Sequence, residues 1–444
     1  MSELEPAYKS ENVELYLGDA LSVLRSLPDE SVQMCVTSPP YWGLRSYLTE
    51  PQIWGGGPGC EHDWQTAPIP STKNCKQGST ETIKYFALVG NGKAEPGRLC
   101  VRCGAWCGEL GSEPTPELFV GHIVEIFREV KRVLRQNGVL WINLGDSYAT
   151  TPTGGYGTKS NLHGAQTSDK YKETIKQVYT KKANTISFGL KPKDLVGIPW
   201  MTAFALRYDG WYLRSAITWC KNNMMPESVT DRPTKATEML FLLSKSERYF
   251  YDAFAIAEPC VYPYDNRGAR TDNRRGTECD SISGKTGLTR NRRDWWIINT
   301  QPFPGSHFAV FPEAIARIPI LAGSSEKGCC SKCGTPWKRV VEHEKMEIRR
   351  SGRASLAEFT ECFSSSGTML KPATSTTIGW ESTCSCNAEV APCTVLDPFI
   401  GSGTTALVSY KLGRRCIGIE LNPDYLKMAS ERISKAEEQL RMFV

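Results

Sequence analysis

No stretch of the chain approaches the roughly 18 consecutive apolar residues that a membrane span needs, and none of its 444 residues is expected in a bilayer. The first residues, Met1-Ser2-Glu3-Leu4-Glu5, are acidic and carry no apolar h-region. A secretory signal is therefore not expected, and the expected location is cytoplasmic. Net charge is also small, at +5 from 53 Lys and Arg against 48 Asp and Glu. Contact with a polyanion would have to come from local clusters rather than from the overall field. Disulfides are a poor account of 17 cysteines in a reducing compartment. That turns attention to metal ligation.

One stretch organises the chain. Val32 to Val36 is a short apolar run, broken only by Gln33, and reads as a buried strand. It stops at Thr37-Ser38-Pro39-Pro40-Tyr41-Trp42, because two prolines lack the N–H a central strand requires. The alternating run Val13 to Leu17, then Leu21, Leu24 and Leu27 at helical spacing, precede it. Together they predict a β-α-β unit with a parallel sheet. Residues 43–115 are rich in Gly, Pro and Thr and read as an insertion. A helix is expected from Pro114-Thr115-Pro116, with Phe119, Ile123, Ile126, Phe127, Val130, Val133 and Leu134 as its apolar stripe and Asn137-Gly138 as its end. Val139 to Asp146 follows as a strand. Residues 150–193 carry scattered lysines and no core pattern. Lys193–Tyr208 and Ser306–Ala322 are expected as helices, and Trp211–Lys221 and Glu238–Ser244 as strands.

Two cysteine patterns suit tetrahedral zinc. The first joins Cys60 and His62 to the knuckle Cys100-Val101-Arg102-Cys103-Gly104, with Cys75 and Cys107 as alternative ligands. The second joins Cys330 and Cys333, also followed by glycine, to Cys384 and Cys386, with Cys329 and Cys393 as rivals. The Ser/Thr-rich residues 345–380 between its halves are expected to form a projecting loop.

The last segment is strand, glycine turn, helix, strand and acid. Thr394-Val395-Leu396 runs into Asp397-Pro398-Phe399-Ile400-Gly401-Ser402-Gly403-Thr404-Thr405, and a later strand ends in Glu420. Gly401 and Gly403 allow close backbone approach at a helix N-terminus, and Glu420 is placed to accept from two ribose hydroxyls. The leading acid, Asp397, suits a cationic ligand such as S-adenosylmethionine better than a pyrophosphate.

With Thr37–Trp42 and Asp397–Thr405 both present, the sequence resembles the amino-group DNA methyltransferases, which modify cytosine N4 or adenine N6. The catalytic motif comes first and the cofactor motif last, which is that family's permuted beta arrangement. The resemblance extends to Gly18-Asp19, to His307-Phe308-Ala309-Val310-Phe311-Pro312 and to Ile419-Glu420-Leu421-Asn422-Pro423. It implies a Rossmann-like α/β fold, with a mostly parallel twisted sheet and helices on both faces. It assigns Ser38, Pro39, Pro40 and Tyr41 to catalysis on a flipped base. It assigns Asp19, Thr37, Phe308, Asp397, Phe399, Gly401, Gly403, Thr404, Glu420 and Asn422 to S-adenosylmethionine.

The implied division begins with a catalytic start at 1–42 and an insertion with the first cysteine module at 43–112. Catalytic core follows at 113–258, then a target-recognition region at 259–296. A cofactor-side segment at 297–323, the second cysteine module at 324–393 and the cofactor part at 394–444 complete it. In the recognition region Arg267, Arg270, Arg274, Arg275, Lys285, Arg290, Arg292 and Arg293 are the expected readers of double-stranded DNA. A cognate restriction endonuclease is an implied partner. Serine at position 38 tends in that family to accompany cytosine N4, with adenine N6 as the alternative. A non-catalytic zinc-ribbon DNA-binding protein is the rival from another class. Ring-carbon methylation is disfavoured. Pro392-Cys393 and Glu11-Asn12-Val13 imitate its motifs, but their order along the chain matches no rotation of that family's order.

Overall fold

A computed structural model describes residues 5–43, 49–57, 59–66, 98–149, 190–191, 193–224, 226–259, 289–301, 311–344, 347–350, 367–371 and 374–441. The chain divides into two compact units. One comprises Met1–Tyr249, Asp294–Ile320 and Thr394–Val444, the other Phe250–Arg293 and Leu321–Cys393.

The first unit is built on a nine-stranded sheet. In chain order its strands are β1 (Tyr8–Lys9), β2 (Val13–Leu17), β3 (Val32–Thr37), β4 (Leu134–Leu144), β5 (Tyr212–Cys220), β6 (Thr237–Ser244), β7 (Trp295–Ile297), β8 (Thr394–Asp397) and β9 (Arg415–Glu420). Their spatial order is β1-β2-β9-β8-β3-β4-β6-β5-β7. The central run β2-β9-β8-β3-β4 is parallel, whereas β6 runs antiparallel to both β4 and β5. The sheet is therefore mixed. All six residues of β3 are buried, as a strand covered on both faces requires.

Among the described residues six helices accompany the sheet: α1 (Ala20–Ser26), α2 (Pro116–Val133), α3 (Ile198–Tyr208), α4 (Glu313–Gly323), α5 (Thr404–Lys411) and α6 (Pro423–Arg441). Buried side chains of α1, α2 and α3 share one apolar cluster with β3 and β4, while α5 and α6 form another with β2 and β9. In α2, Phe119, Ile123, Ile126, Phe127, Val130 and Val133 are fully buried. Each such side chain contributes about 1.5–3 kcal/mol on leaving water. Thr115 caps α2 by accepting from the Leu118 N–H at 3.1 Å, and Pro116 occupies the first turn, where no N–H is needed.

The β-α-β unit expected at residues 13–37 keeps its parallel direction but lacks adjacency. Strands β9 and β8 lie between β2 and β3. The order reverses between β8 and β3, since β3 leads to β4 on one side and β8 to β9 on the other. A ligand crevice forms at the carboxyl edge of such a switch point.

Four local expectations need correction. Helix α2 stops at Val133, short of Asn137-Gly138, because Leu134 already pairs with Val32 in the sheet. Gly138 marks a register slip instead, where a Cβ would stand 3.1 Å from the Gln33 carbonyl oxygen. Helix α3 begins at Ile198 rather than Lys193. Leu195 bridges to Tyr148, and Gly197 turns the chain at φ 86°. The Asp146 carboxylate then accepts from the Gly197 and Ile198 N–H groups at 3.0 and 3.2 Å, capping that helix. Helix α4 begins at Glu313; Phe311 and Pro312 precede it, and 302–310 lie outside the described residues.

The fourth correction falls in the second unit. Within the 345–380 segment expected as a loop, residues 374–380 pair with Arg339–Glu344 as part of the Lys338–Glu344/Thr374–Glu381 ladder, and Glu347–Arg350 pairs with Gly367–Lys371. Threonine is β-branched and stiff at χ1, so Thr-rich sequence suits a ladder as well as a loop. The Arg339 guanidinium donates to Asp252 at 2.9 Å and lies 4.4 Å over the Trp380 ring, tying this ladder to residues 250–256.

Candidate active site

The carboxyl ends of β2, β9, β8, β3, β4 and β5 share one edge of the sheet, together with the amino end of β6. A cavity of about 460 Å³ opens there. Its lining includes the turn after β3, Ser38 to Tyr41, and also Pro398 to Ser402, Thr404 and Glu420. The two halves meet at the switch point. Thr37 Oγ1 donates to Asp397 Oδ1 at 2.6 Å across 360 residues of sequence.

Asp397 is only 1% exposed. Its carboxylate also accepts from the Phe399 N–H at 3.0 Å and from the Thr405 hydroxyl at 2.6 Å. Burial pushes its pKa up to about 6, opposed by the Thr37, Thr405 and Phe399 hydrogen bonds. Asp397 and Thr37 thus stand behind the cavity lining rather than in it, and Asp397 spends its oxygens on the protein. Gly403 is also behind the lining. It adopts φ 81° at the start of α5, and a Cβ there would come within 2.9 Å of the Ala429 Cβ. Asn422 caps α6 by accepting from the Asp424 N–H at 2.9 Å.

Glu420 does face the cavity. Each carboxylate oxygen accepts one backbone N–H, from Gly401 and from Asn422, both at 2.8 Å. Burial nonetheless raises its pKa to about 7. The Leu421 N–H is a third backbone donor to this carboxylate, so of its roughly four acceptor positions one remains for an incoming hydroxyl. Asp19 lines the cavity too and caps α1 through the Ser22 N–H at 2.9 Å. Leu421 and Tyr425 join this end of the lining. Phe308 lies outside the described residues.

At the other end, the Ser38 hydroxyl donates to the Tyr41 hydroxyl at 3.3 Å. The Tyr41 hydroxyl lies 2.8 Å from Asn143 Oδ1 and 2.9 Å from Glu238 Oε2. Its ring packs on Gly145, where a Cβ would stand 2.4 Å from a ring carbon. Glu238 in turn pairs with Lys221, whose ammonium lies 4.1 Å over the Trp219 ring. Asn143, Trp219, Lys221 and Glu238 were not singled out from sequence. They sit on strands, or immediately after one, that read as plain apolar patterns, and only the pairing of β4, β6 and β5 brings them to the edge.

Residues from the first cysteine module complete the wall: Thr49, Gln52, Trp54, Glu109 and Leu110. The module is a four-stranded antiparallel sheet in the order Gln52–Trp54, Trp106–Gly108, Arg98–Cys100, Trp64–Thr66. It grips the Ser38–Tyr41 turn. The Trp42 indole donates to the Glu113 carbonyl at 2.9 Å, and the Gly43 N–H to the Gly111 carbonyl at 2.8 Å. Beneath, His122 bonds the buried Glu113 carboxylate at 2.9 Å between the rings of Trp54 and Trp106.

The metal-type residues cluster as two groups. Ligand atoms of Cys60, His62, Cys100 and Cys103 lie within 4.8 Å of one another, as do those of Cys330, Cys333, Cys384 and Cys386. Both knuckles fold alike. The glycine N–H returns to the first cysteine carbonyl, at 2.9 Å for Gly104 and 2.7 Å for Gly334, with φ of 73° and 67°. Cys107, Cys329 and Cys393 are outside these groups, and Cys75 is outside the described residues. Of the candidate DNA-binding residues, Arg290 and Arg293 both donate to Glu258 Oε1, at 2.9 and 2.6 Å, and Arg292 to the Ile256 carbonyl at 3.1 Å. Arg267, Arg270, Arg274, Arg275 and Lys285 lie outside the described residues.

The model of the N6/N4 methyltransferase family, described as DNA methylase, matches residues 32–330 and 393–431. The chain belongs to the N6/N4 DNA methylase family. It is 32% identical to the Type II methyltransferase M.SmaI of Serratia marcescens over 94% of this chain and 90% of that protein. It is 34% identical to M.XycI of Xanthomonas campestris pv. cyanopsidis over 94% of this chain and 87% of the relative. Among solved structures, the PvuII DNA methyltransferase (cytosine-N4-specific) aligns at a TM-score of 0.45 and 13% identity, covering 98% of this chain and 94% of that one. The family match leaves out residues 331–392, and with them Cys333, Cys384 and Cys386. No helix of the DNA methylase is long and apolar enough to cross a membrane among its described residues.

Proposed function

We propose that this DNA methylase transfers a methyl group from S-adenosylmethionine to the exocyclic N4 amine of a cytosine turned out of double-stranded DNA. One observation carries the proposal. A single cavity is lined both by the Ser38–Tyr41 turn and by Gly401 and Glu420.

The set at Gly401 and Glu420 fits the cofactor. The acceptor capacity left on Glu420 suits a ribose hydroxyl, and the backbone at Gly401 leaves room for close approach. When bound, S-adenosylmethionine supplies a methyl group on a positively charged sulfur. The protein's work is to present the nucleophile. An exocyclic amine is a poor one, because its lone pair is delocalised into the ring. Ser38 turns its own proton toward Tyr41, which leaves its oxygen lone pairs to accept one amine hydrogen. The Pro39 carbonyl would accept the other. The lone pair is then directed out of the ring plane toward the methyl group. Tyr41, anchored on Asn143 and Glu238, offers a ring face to the base. Much of the rate enhancement would come from this positioning. Because serine is a weak base, the methylated amine would carry the positive charge after transfer and lose its proton to water.

Two zinc ions are proposed as structural, held by Cys60, His62, Cys100 and Cys103 and by Cys330, Cys333, Cys384 and Cys386. The Cys60–Cys100 separation of 4.0 Å and the Cys103–His62 separation of 3.4 Å suit tetrahedral sulfur and nitrogen ligands. The arginines of residues 259–296 are proposed to read DNA, those described being partly balanced by Glu258. A cognate restriction endonuclease is a proposed partner, as the Type II names of M.SmaI and M.XycI suggest.

Cofactor binding tests the proposal through pH. Ribose hydroxyls donate better to an ionised Glu420, so binding lowers its pKa from about 7. The dissociation constant for labelled S-adenosylmethionine should therefore fall as pH rises from 6 toward 7.5 and then level. A pKa unit of coupling corresponds to about tenfold. Glu420→Gln, which cannot titrate, should give a flat profile over that range. Equilibrium dialysis measures both; no binding above background at any pH would contradict the proposal.

A further inference from the structure

Lys221 follows β5 at the catalytic edge, and its side chain is 9% exposed. Its ammonium pairs with Glu238 Oε1 and rests over the Trp219 ring. The other Glu238 oxygen takes the Tyr41 hydroxyl at 2.9 Å, and Tyr41 in turn meets Ser38. Four polar groups therefore run in line along one end of the cavity, from the proposed amine acceptor Ser38 to a sequestered cation. Lysine has three N–H donors, and the bond to Glu238 uses one. Both Lys221 and Glu238 line the cavity in which a base would sit.

We propose that Lys221 donates a hydrogen bond to O2 of the target cytosine and so selects cytosine over adenine. This rests on the cytosine-N4 function proposed above and deepens it. Beside its amine, cytosine presents N3 and then O2, both acceptors. Adenine, with its amine in the same place, presents N1 and then a C–H. A cation placed beyond the first ring nitrogen finds a partner only in cytosine. Glu238 keeps Lys221 in place and balances its charge, which removes the attraction for a phosphate in the base pocket. Trp219, with its indole N–H fixed on the Ile298 carbonyl at 2.7 Å, gives the ammonium a second contact besides Glu238. Asn143, donating to the Met239 carbonyl at 3.1 Å, fixes the Tyr41 end of the row.

The test uses the full chain and a duplex containing its methylated sequence, once that sequence is known from the wild-type product. The target base is cytosine or 2-thiocytosine, whose sulfur is a poor acceptor. For Lys221→Met, kcat/KM on cytosine should fall about 100-fold or more, as when a buried polar group loses its substrate partner. S-adenosylmethionine binding should stay within twofold of wild type. Wild type should lose at least about tenfold on 2-thiocytosine, while Lys221→Met should lose little more, because both changes remove the same bond. Lys221→Arg should recover part of the loss on cytosine. Losses that add in the double perturbation overturn the proposal, and so does a Lys221→Met variant that also loses the cofactor. A wild-type product of N6-methyladenine would instead remove the cytosine assignment itself, and this inference with it.

Discussion

Asp397→Ala should cost several kcal/mol of stability and at least about 100-fold in cofactor affinity. The side chain is fully enclosed and serves three donors: the Thr37 hydroxyl, the Thr405 hydroxyl and the Phe399 N–H. Removing it leaves all three without a partner in a space that water does not reach. Each unsatisfied group costs about 1–3 kcal/mol, against a total stability of roughly 5–15 kcal/mol for a domain. The same bonds hold the β3 turn to the glycine loop, so the cavity loses its shape as well. Asp397→Asn keeps the volume and most acceptors and should cost less. It also removes a titration. With a folded-state pKa of about 6, above the ordinary carboxylate value, the native protein holds its proton more tightly than the unfolded chain. Wild-type stability should therefore be greater near pH 4 and fall as pH rises to about 6. Urea unfolding at pH 4.5, 6 and 7 reads this directly. The part of the slope below pH 6 should shrink in Asp397→Asn, and the part due to Glu420 should remain. An Asp397→Ala variant within 1 kcal/mol of wild type would contradict the account.

Removing metal from the first cluster should have the second large effect. Residues of the Gln52–Trp54 strand line the same cavity as the Ser38–Tyr41 turn, and Trp106–Gly108 pairs with that strand. Beyond Trp54 and Trp106, which pack into the first unit's main apolar cluster beside the His122–Glu113 pair, they have only a small core of their own. A structural zinc site contributes about 10–16 kcal/mol in isolated modules, which exceeds what such a core supplies. Elemental analysis should find about two zinc ions per chain. Cys103→Ser, or stripping with a chelator, should open the four-stranded module to protease and lower methyl transfer about tenfold or more, because Trp42 and Gly43 lose their anchors. Cys333→Ser should open the second unit while sparing transfer, since the residues lining the cavity all belong to the first unit. Unchanged proteolysis and transfer after complete metal removal would overturn the structural role.

The two motifs were legible in sequence because proline and glycine act locally. Pro39-Pro40 ends a strand wherever it stands, and Gly401 and Gly403 mark a turn without reference to distant residues. The same holds for the knuckles, whose glycines at 104 and 334 adopt the positive φ that their place after Cys-x-x-Cys requires. Long-range pairing was not legible. Nothing near Val13 or Val32 says that the last two strands of the chain insert between them. Leu134 read as the last helical residue of an apolar stripe and proved to be the first of a strand, because its partner Val32 lies far away. Asp397 was read as facing a cationic ligand. Its role in joining Thr37 to Thr405 depends on an adjacency that only the switch point creates. Glu238 and Lys221 were invisible for the same reason. Each is an ordinary charged residue at the end of an apolar run until β5 and β6 pair beside β4.

The central claim is that the Ser38 turn presents a cytosine amine to S-adenosylmethionine. The most direct test is to incubate the protein with labelled cofactor and mixed-sequence DNA, digest the DNA to nucleosides and identify the labelled product by mass spectrometry. The expected product is N4-methyldeoxycytidine, with transfer lost about 100-fold or more in Ser38→Ala while cofactor binding persists. Label in N6-methyldeoxyadenosine, or undiminished transfer by Ser38→Ala, would contradict it.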